Sequence, residues 1–461
     1  MSFTFGSYSA AKAVPADTET DTPWGHLLTN GACPCCGLVE VTGQTVETDV
    51  AALLETAAST DYTDAIDWGG AMVDTGVFNE DGDMVIEYYF APGEGRFQFV
   101  FPRQEWTEYE KQQAELAFDT FEAIMNVEFV EVQNEADAEF VLNKINSFGT
   151  FLGVMTPPGE FGEGQGGFAG DGTGWDTTGG LEQGGFGFIT LIHELGHGLG
   201  LAHPHDNGGG SPVLPGVSNS GDTGFLDLNQ GVYTMMSYID GWATHPDGQL
   251  SPAQTVNYGY QGTPMAVDVA ALQEKYGANM DYATGNDVYI LPDSNEAGTF
   301  WVCIWDAGGI DEIRHDGTDA AVIDLRAATL ELEEGGGGWI SWVDEVYGGF
   351  TIANGVVIEN ATGGSGNDAL IGNSADNVLT GNGGDDTFIF TEDGGGYDTL
   401  ADFEDGDLVD LSDLGFLNVI RNFEITDTVE GLELDLFDGQ QVILFAGYDQ
   451  GDLGFSDFVF I

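Results

Sequence analysis

Three nine-residue units run back to back in the second half of the chain: residues 363–371 (GGSGNDALI), 372–380 (GNSADNVLT) and 381–389 (GNGGDDTFI). Asp368, Asn377 and Asp386 fall in one register, and Leu370, Leu379 and Phe388 in another. A strand of about three residues with one inward apolar side chain cannot bury a face alone. It must stack on the next unit, which makes a parallel β-helix with Gly-rich turns. So few units cannot stand by themselves, so the flanking segments must also be β structure.

The flanks agree on one side and differ on the other. From about residue 280 to the end, short β-type runs alternate with Gly, Asp and Asn turns. Earlier, the period lengthens. Residues 84–91 (MVIEYYFA) read as a strand. Across 107–127, Ala114, Ala117, Phe118, Phe121, Ile124 and Met125 recur at helical spacing. Strands are expected at 128–132 and 138–145, a Gly-rich connection at 159–187, and helices at 188–199 and 265–276, the last closed by Gly277. That alternation predicts an α/β domain ending near residue 278. Residues 1–60 are weakly patterned and read as a leader or pro-segment. The 461 residues accommodate two such domains plus this segment.

Charge narrows the function. The chain has 78 acidic and 9 basic residues, a formal net charge of -69. Nucleic acid and anionic membrane surfaces would repel it. Hard cations, which take oxygen ligands, would not; a salty habitat or plain solubility outside the cell also suits it. Four cysteines, Cys33, Cys35, Cys36 and Cys303, make no disulfide scaffold. The N-terminus lacks the basic-then-apolar form of a Sec-type signal, and no apolar run reaches membrane-spanning length, so no stable membrane insertion is expected.

The chemistry concentrates in residues 193–204, HELGHGLGLAHP. On a helix His193 and His197 lie one turn apart on one face, so both imidazoles can reach one zinc ion. Glu194 lies beside them, placed to hold a water. Gly200 lets the chain turn sharply, so that His203 can return as a third ligand. Three histidines leave a position open, the mark of a catalytic rather than a structural zinc. The bland alternative is a helix with incidental histidines, yet three of the chain's seven histidines sit in this one motif.

The extended motif is that of the metzincins, and residues 234–238 (TMMSY) resemble the Met-turn of their serralysin branch. Residues 268–279 (DVAALQEKYGAN), 305–309 (WDAGG) and 355–361 (GVVIENA) resemble that family too, so the likeness runs from about residue 60 to the end. It implies an α+β fold: a metzincin zinc-protease domain at 61–278, then a parallel β-roll or β-sandwich domain of RTX calcium-binding repeats at 279–461. It implies zinc held by His193, His197 and His203, with Met236 as the base beneath and Tyr238 as a further ligand that swings away to steady the oxyanion. Glu194 is then the general base. Calcium ligands are implied at Ala283, Gly285, Asp287, Asp306, Gly308, Gly309, Asp311, Val357, Glu359, Gly363, Ser365, Asp368, Gly381, Gly383, Asp386 and Asp398. Asp368 and Asp386, two units apart, are natural partners. An edge strand near residues 166–170 (GGFAG) is where an extended substrate would pair.

The family's activity is hydrolysis of peptide bonds in proteins by a secreted enzyme, and nothing in the sequence demands more than a monomer. Export uses the type I apparatus of a Gram-negative bacterium and a C-terminal signal, which residues 456–461 (SDFVFI) resemble. Three departures stand out: Asn377 where Asp is usual, Ala283 where Arg is frequent, and the cysteine cluster. A thiolate is a strong zinc ligand, so Cys35 or Cys36 can be read as an inhibitory zinc ligand of a zymogen, against a disulfide or a separate metal site. A calcium-dependent surface adhesion protein with a lapsed protease domain is the competing reading. The intact His193, Glu194, His197, His203 and Tyr238 argue against it.

Overall fold

The computed structural model describes residues 62–460, apart from 176–177, 247–256, 416–418, 420–422, 438 and 450. The leader, with Cys33, Cys35 and Cys36, lies outside the described residues.

Strand β1 (Met84–Phe90) alternates strictly, burying Met84, Ile86, Tyr88 and Phe90. A two-stranded hairpin follows, β2 (Arg96–Phe97) and β3 (Phe101–Pro102). Helix α1 (Glu108–Glu122) then opens on a capping box between Thr107 and Glu110. Its Phe118 packs on Tyr88 of β1 and on Phe129 of β4 (Val127–Glu131), at ring separations of 4.5 and 4.4 Å. The expected helix ran to residue 127. It stops at Glu122 because Asn126 turns away, its amide donating to Gly277 O and its carbonyl accepting from Met84, which starts β4 beside β1.

β5 (Phe140–Ile145), β6 (Gly153–Met155) and β7 (Gln165–Ala169) complete a five-stranded sheet ordered β4-β1-β5-β7-β6. Every pair is parallel except β6 with β7. β7 falls inside the stretch expected to be a Gly-rich connection. There Gly166 and Gly167 leave room that the rings of Phe168 and Phe97 fill, so glycine serves packing within a strand. Helix α2 (Phe186–Gly198) carries the histidine motif and lies against β6 and β7. A side chain on Gly198 would meet Met155 at 2.7 Å. Helix α3 (Ala266–Tyr276) ends at Gly277 with φ 80°, as its sequence predicts.

After residue 287 the chain builds two eight-stranded sheets. Successive coils contribute alternately to each. Ala369–Ile371 pairs in parallel with Thr387–Ile389, and Asn360–Thr362 with Val378–Thr380. Ala361, Leu370, Leu379, Phe388, Leu400 and Val409 are fully buried between the sheets, as the repeat register requires. The sheets are mixed rather than purely parallel. Ser341–Val343 runs antiparallel to both its neighbours, and Phe423–Asp427, Gly431–Leu436 and Gln441–Ala446 form an antiparallel meander at one end. Phe458–Val459, within the expected export signal, pairs as a strand with Leu408–Asp410. Among the described residues no helix is long and apolar enough to cross a membrane.

Candidate metal centre

α2 presents His193 and His197 on one face. Gly200 follows with φ 94°, and a Cβ there would lie 2.2 Å from Ala71 O. Only glycine lets the chain leave the helix along this path and bring His203 back. The Nε2 atom of His203 then lies 3.2 Å from that of His193 and 3.0 Å from that of His197.

The tautomers follow from the other ring nitrogens. Nδ1 of His193 faces Met235 O at 2.8 Å, that of His197 faces Leu201 O at 2.9 Å, and that of His203 faces the Asp206 carboxylate at 2.9 Å. These oxygens only accept, so each Nδ1 carries the proton and each Nε2 keeps its lone pair. Burial holds the rings neutral: it pushes His193 down to about 4, and His197 and His203, further lowered by their neighbouring histidines, well below the usual range. Three lone pairs aimed at one point repel unless a cation lies between them. Tetrahedral zinc ligands at ~2.0–2.1 Å would sit roughly 3.3 Å apart, close to the spacing here. The residues fit a zinc ion.

Glu194 lies with its carboxyl against Gly153 of β6, where a Cβ would be 2.7 Å from Oε1. Its Oε2 is buried without a hydrogen-bond partner in the protein. Burial pushes this carboxyl up to about 8, opposed by the Met155 amide. Met235 and Met236 are fully buried under α2, and a side chain at Gly196 would strike both. Tyr238, just beyond, is 39% exposed, its ring 5.7 Å from that of His193 and 4.8 Å from that of His203.

Two carboxylates that sequence reasoning passed over support this arrangement. Asp268 on α3 is fully buried and accepts from Thr234 Oγ1 at 2.6 Å, Met235 N at 2.7 Å and Met265 N at 2.8 Å, clamping the Met-turn to α3. Asp206 orients His203 while accepting from Gly208 N at 2.9 Å. Its signal was visible as a carboxylate three residues after the last motif histidine. Asp206→Ala frees the His203 ring to turn and to change tautomer. It should weaken zinc affinity by about 10- to 100-fold, read by competition with a chromogenic chelator. Unchanged affinity would remove Asp206 from the centre.

Comparison with known proteins gives one family model and several relatives in sequence. Residues 268–444 match the family model described as Peptidase M10 serralysin C terminal. A serralysin of Proteus mirabilis is 33% identical over 323 residues, which is 64% of this chain and 60% of that one. A metallopeptidase AprA of Pseudomonas marginalis is 32% identical over 290 residues, 59% of this chain and 55% of that one. Serralysin C of Dickeya chrysanthemi is 36% identical over 201 residues, 40% of this chain and 36% of that one. The chain is similar to serralysin-type metallopeptidases. It spans at most about three fifths of the length of these relatives.

The expected calcium residues fall into separate clusters. Asp287, Asp306 and Asp311 bring ligand atoms within 4.8 Å of one another. Gly285 O projects at Gly309, where a Cβ would lie 1.6 Å away, and Asp311 N donates to Glu359 at 2.8 Å. Asp311 Oδ2 is buried and without a partner in the protein. Ala283 has φ 46° and its carbonyl accepts from Ala307 N; Val357 is 48% exposed. In the repeats, Asp386 Oδ1 accepts from Asp368 N at 2.8 Å, so the two predicted partners are joined. A Cβ on Gly363 would meet Asp368 Oδ2 at 2.4 Å and Gly381 O at 2.9 Å, while one on Gly381 would meet Asp386 Oδ2 at 2.2 Å. Ser365 N and Gly383 N bond to Gly317 O and Gly364 O. These oxygen-lined cradles fit calcium. Asp398 lies apart, accepting from Asn377 N and the Gln441 amide. Asp407 was missed. It accepts from Asp386 N at 2.9 Å and precedes its strand as Asp368 and Asp386 precede theirs.

Proposed function

We propose that the chain is a secreted zinc-dependent endopeptidase, with a metzincin catalytic domain at residues 61–278 and a calcium-stabilised RTX β-roll at 279–461. The observation that carries this reading is the convergence of three lone-pair-bearing Nε2 atoms beside the buried, half-unpartnered carboxyl of Glu194. When bound, zinc supplies Lewis acidity, polarising a carbonyl and acidifying water. His193, His197 and His203 would hold it. Glu194, with one carboxyl oxygen free of protein partners, takes a proton from water and returns it to the leaving amine. The Tyr238 hydroxyl would donate to a developing oxyanion, and its ring lies 4.8 Å from that of His203.

An extended substrate needs an open sheet edge. The segment 166–170 does not offer one, since β7 lies between β5 and β6. Among the described residues β6 is the edge strand, and it runs past Glu194. It supports pairing with peptide backbone. Export by a type I system through the C-terminal segment belongs to the same reading.

The test is hydrolysis of a denatured protein by the purified chain in calcium. A zinc-selective chelator should abolish it, and stoichiometric zinc should restore it. Hydrolysis indifferent to the chelator would sink the reading. A chain that binds zinc but cleaves nothing would favour the surface-protein alternative.

A further inference from the structure

We propose that four phenylalanines at the start of β6 form an aromatic rim that receives an apolar side chain of an extended peptide substrate, a few residues past the bond cleaved. This rests on the peptidase reading and names the substrate class of that site.

The rim has two sources. One is the hairpin of β2 and β3, whose tip exposes Phe99 (97%) and Val100 (54%). The other is the turn before β6, which exposes Phe148 (64%). Between them Phe101 and Phe151 pack edge to face, with ring centroids 5.0 Å apart. The backbone fixes their closeness. Asn146 N donates to Pro102 O at 2.9 Å, Arg103 bridges Ile145, and the Phe97 ring anchors the hairpin on Gly167 of β7.

The rim is continuous with the catalytic line. Phe151 precedes by two residues Gly153, against which the Glu194 carboxyl rests. At ~3.3 Å per residue the rim begins about 7 Å from that point and extends outward. A peptide paired antiparallel to β6, the more stable arrangement per residue, runs its residues after the scissile bond toward Phe151, Phe148 and Phe99.

The backbone at the rim is costly. Gln98, Phe99 and Phe148 hold φ of 47°, 61° and 57°. Bulky L-residues rarely occupy this region, and such strain gathers at functional sites. Two strained turns therefore each hold a phenylalanine out in water, at a place where glycine or asparagine would be easier. A covering ligand accounts for both. The occupant is peptide rather than bilayer or a second copy, because the rim continues the open edge of β6 and because a charge of -69 repels anionic lipid and like chains.

The experiment uses the full chain with zinc and calcium, and a fluorogenic peptide varied only at the second to fifth residues after the cleaved bond. Replacing Ser by Phe at one of these positions should raise kcat/KM about tenfold, mainly through KM. In the double variant Phe99→Ser/Phe148→Ser, whose sites are exposed, the preference for the Phe peptide over the Ser peptide should fall below about threefold. Hydrolysis without preference, or preference that survives in the double variant, overturns the rim. Binding to the Glu194→Ala protein, read by fluorescence anisotropy, separates the two readings. Tighter binding of the Phe peptide with no hydrolysis by the parent supports the rim and sinks the peptidase reading. Equal binding of both peptides overturns the rim.

Discussion

Glu194→Ala is expected to bind zinc nearly as the parent does, while kcat on a peptide falls by about 10³-fold or more. Proton transfer by a positioned side chain contributes roughly 10²–10⁴-fold, and this carboxyl has no understudy beside it on α2. The zinc ligands, by contrast, are held without it: each motif histidine is oriented by its own acceptor, Met235 O, Leu201 O or Asp206. The alanine leaves only a small space against Gly153, so the sheet and helix should persist. Glu194→Gln, which keeps the shape but cannot accept the proton, should lose as much activity. His197→Ala is the contrasting case, losing zinc and activity together. Metal content by elemental analysis and single-turnover hydrolysis decide the matter. More than about a tenth of parental turnover in Glu194→Gln would remove the carboxyl from proton transfer.

What the sequence disclosed divides along a physical line. The motif helix, the Met-turn and the repeat coils were legible because their spacing is set by local geometry, one helical turn or one coil per unit. β6 and β7 were not. β7 is glycine-rich, and its place in the sheet depends on rings from Phe97 and Phe168 filling the room its glycines leave. So the edge strand was placed only near residues 166–170, and it is Gly153–Met155, paired with β7. The end of α1 was misjudged for a similar reason. Ile124 and Met125 are buried as a helix would bury them, but a distant partner, Gly277, turns the chain at Asn126. Asp206 and Asp268 orient other residues rather than act on substrate, so a carboxylate three residues after His203 and the first residue of the 268–279 segment were visible but carried no sign of their roles.

The second large effect concerns calcium and pH together. Asp311, Asp386 and Asp398 are each buried, and burial, with nearby carboxylates adding to it, pushes their carboxyls up to about 6, 7 and 7. In the unfolded chain they would titrate near 3.9. A carboxyl raised in this way favours the fold when protonated, below about pH 4, and that contribution is lost as pH climbs through 6 and 7. Without calcium, then, the β-roll should weaken steadily from pH 4.5 to pH 8. Calcium supplies the missing counter-charge and should reverse the trend, since ionised carboxylates bind it and protonated ones do not. The Glu194→Ala chain is the right material, because it cannot digest itself during the measurement. Its calcium-free Tm should drop by more than about 5 °C between pH 5 and pH 8, and millimolar calcium should raise the pH 8 value far more than the pH 5 value. Circular dichroism should show the β signal following the same pattern. A calcium-free chain as stable at pH 8 as at pH 5 would mean that the buried carboxylates are satisfied by their amide donors alone, as Asp398 accepts from the Asn377 backbone and the Gln441 side chain. The cradles around Asp311 and Asp386 would then not be cation sites.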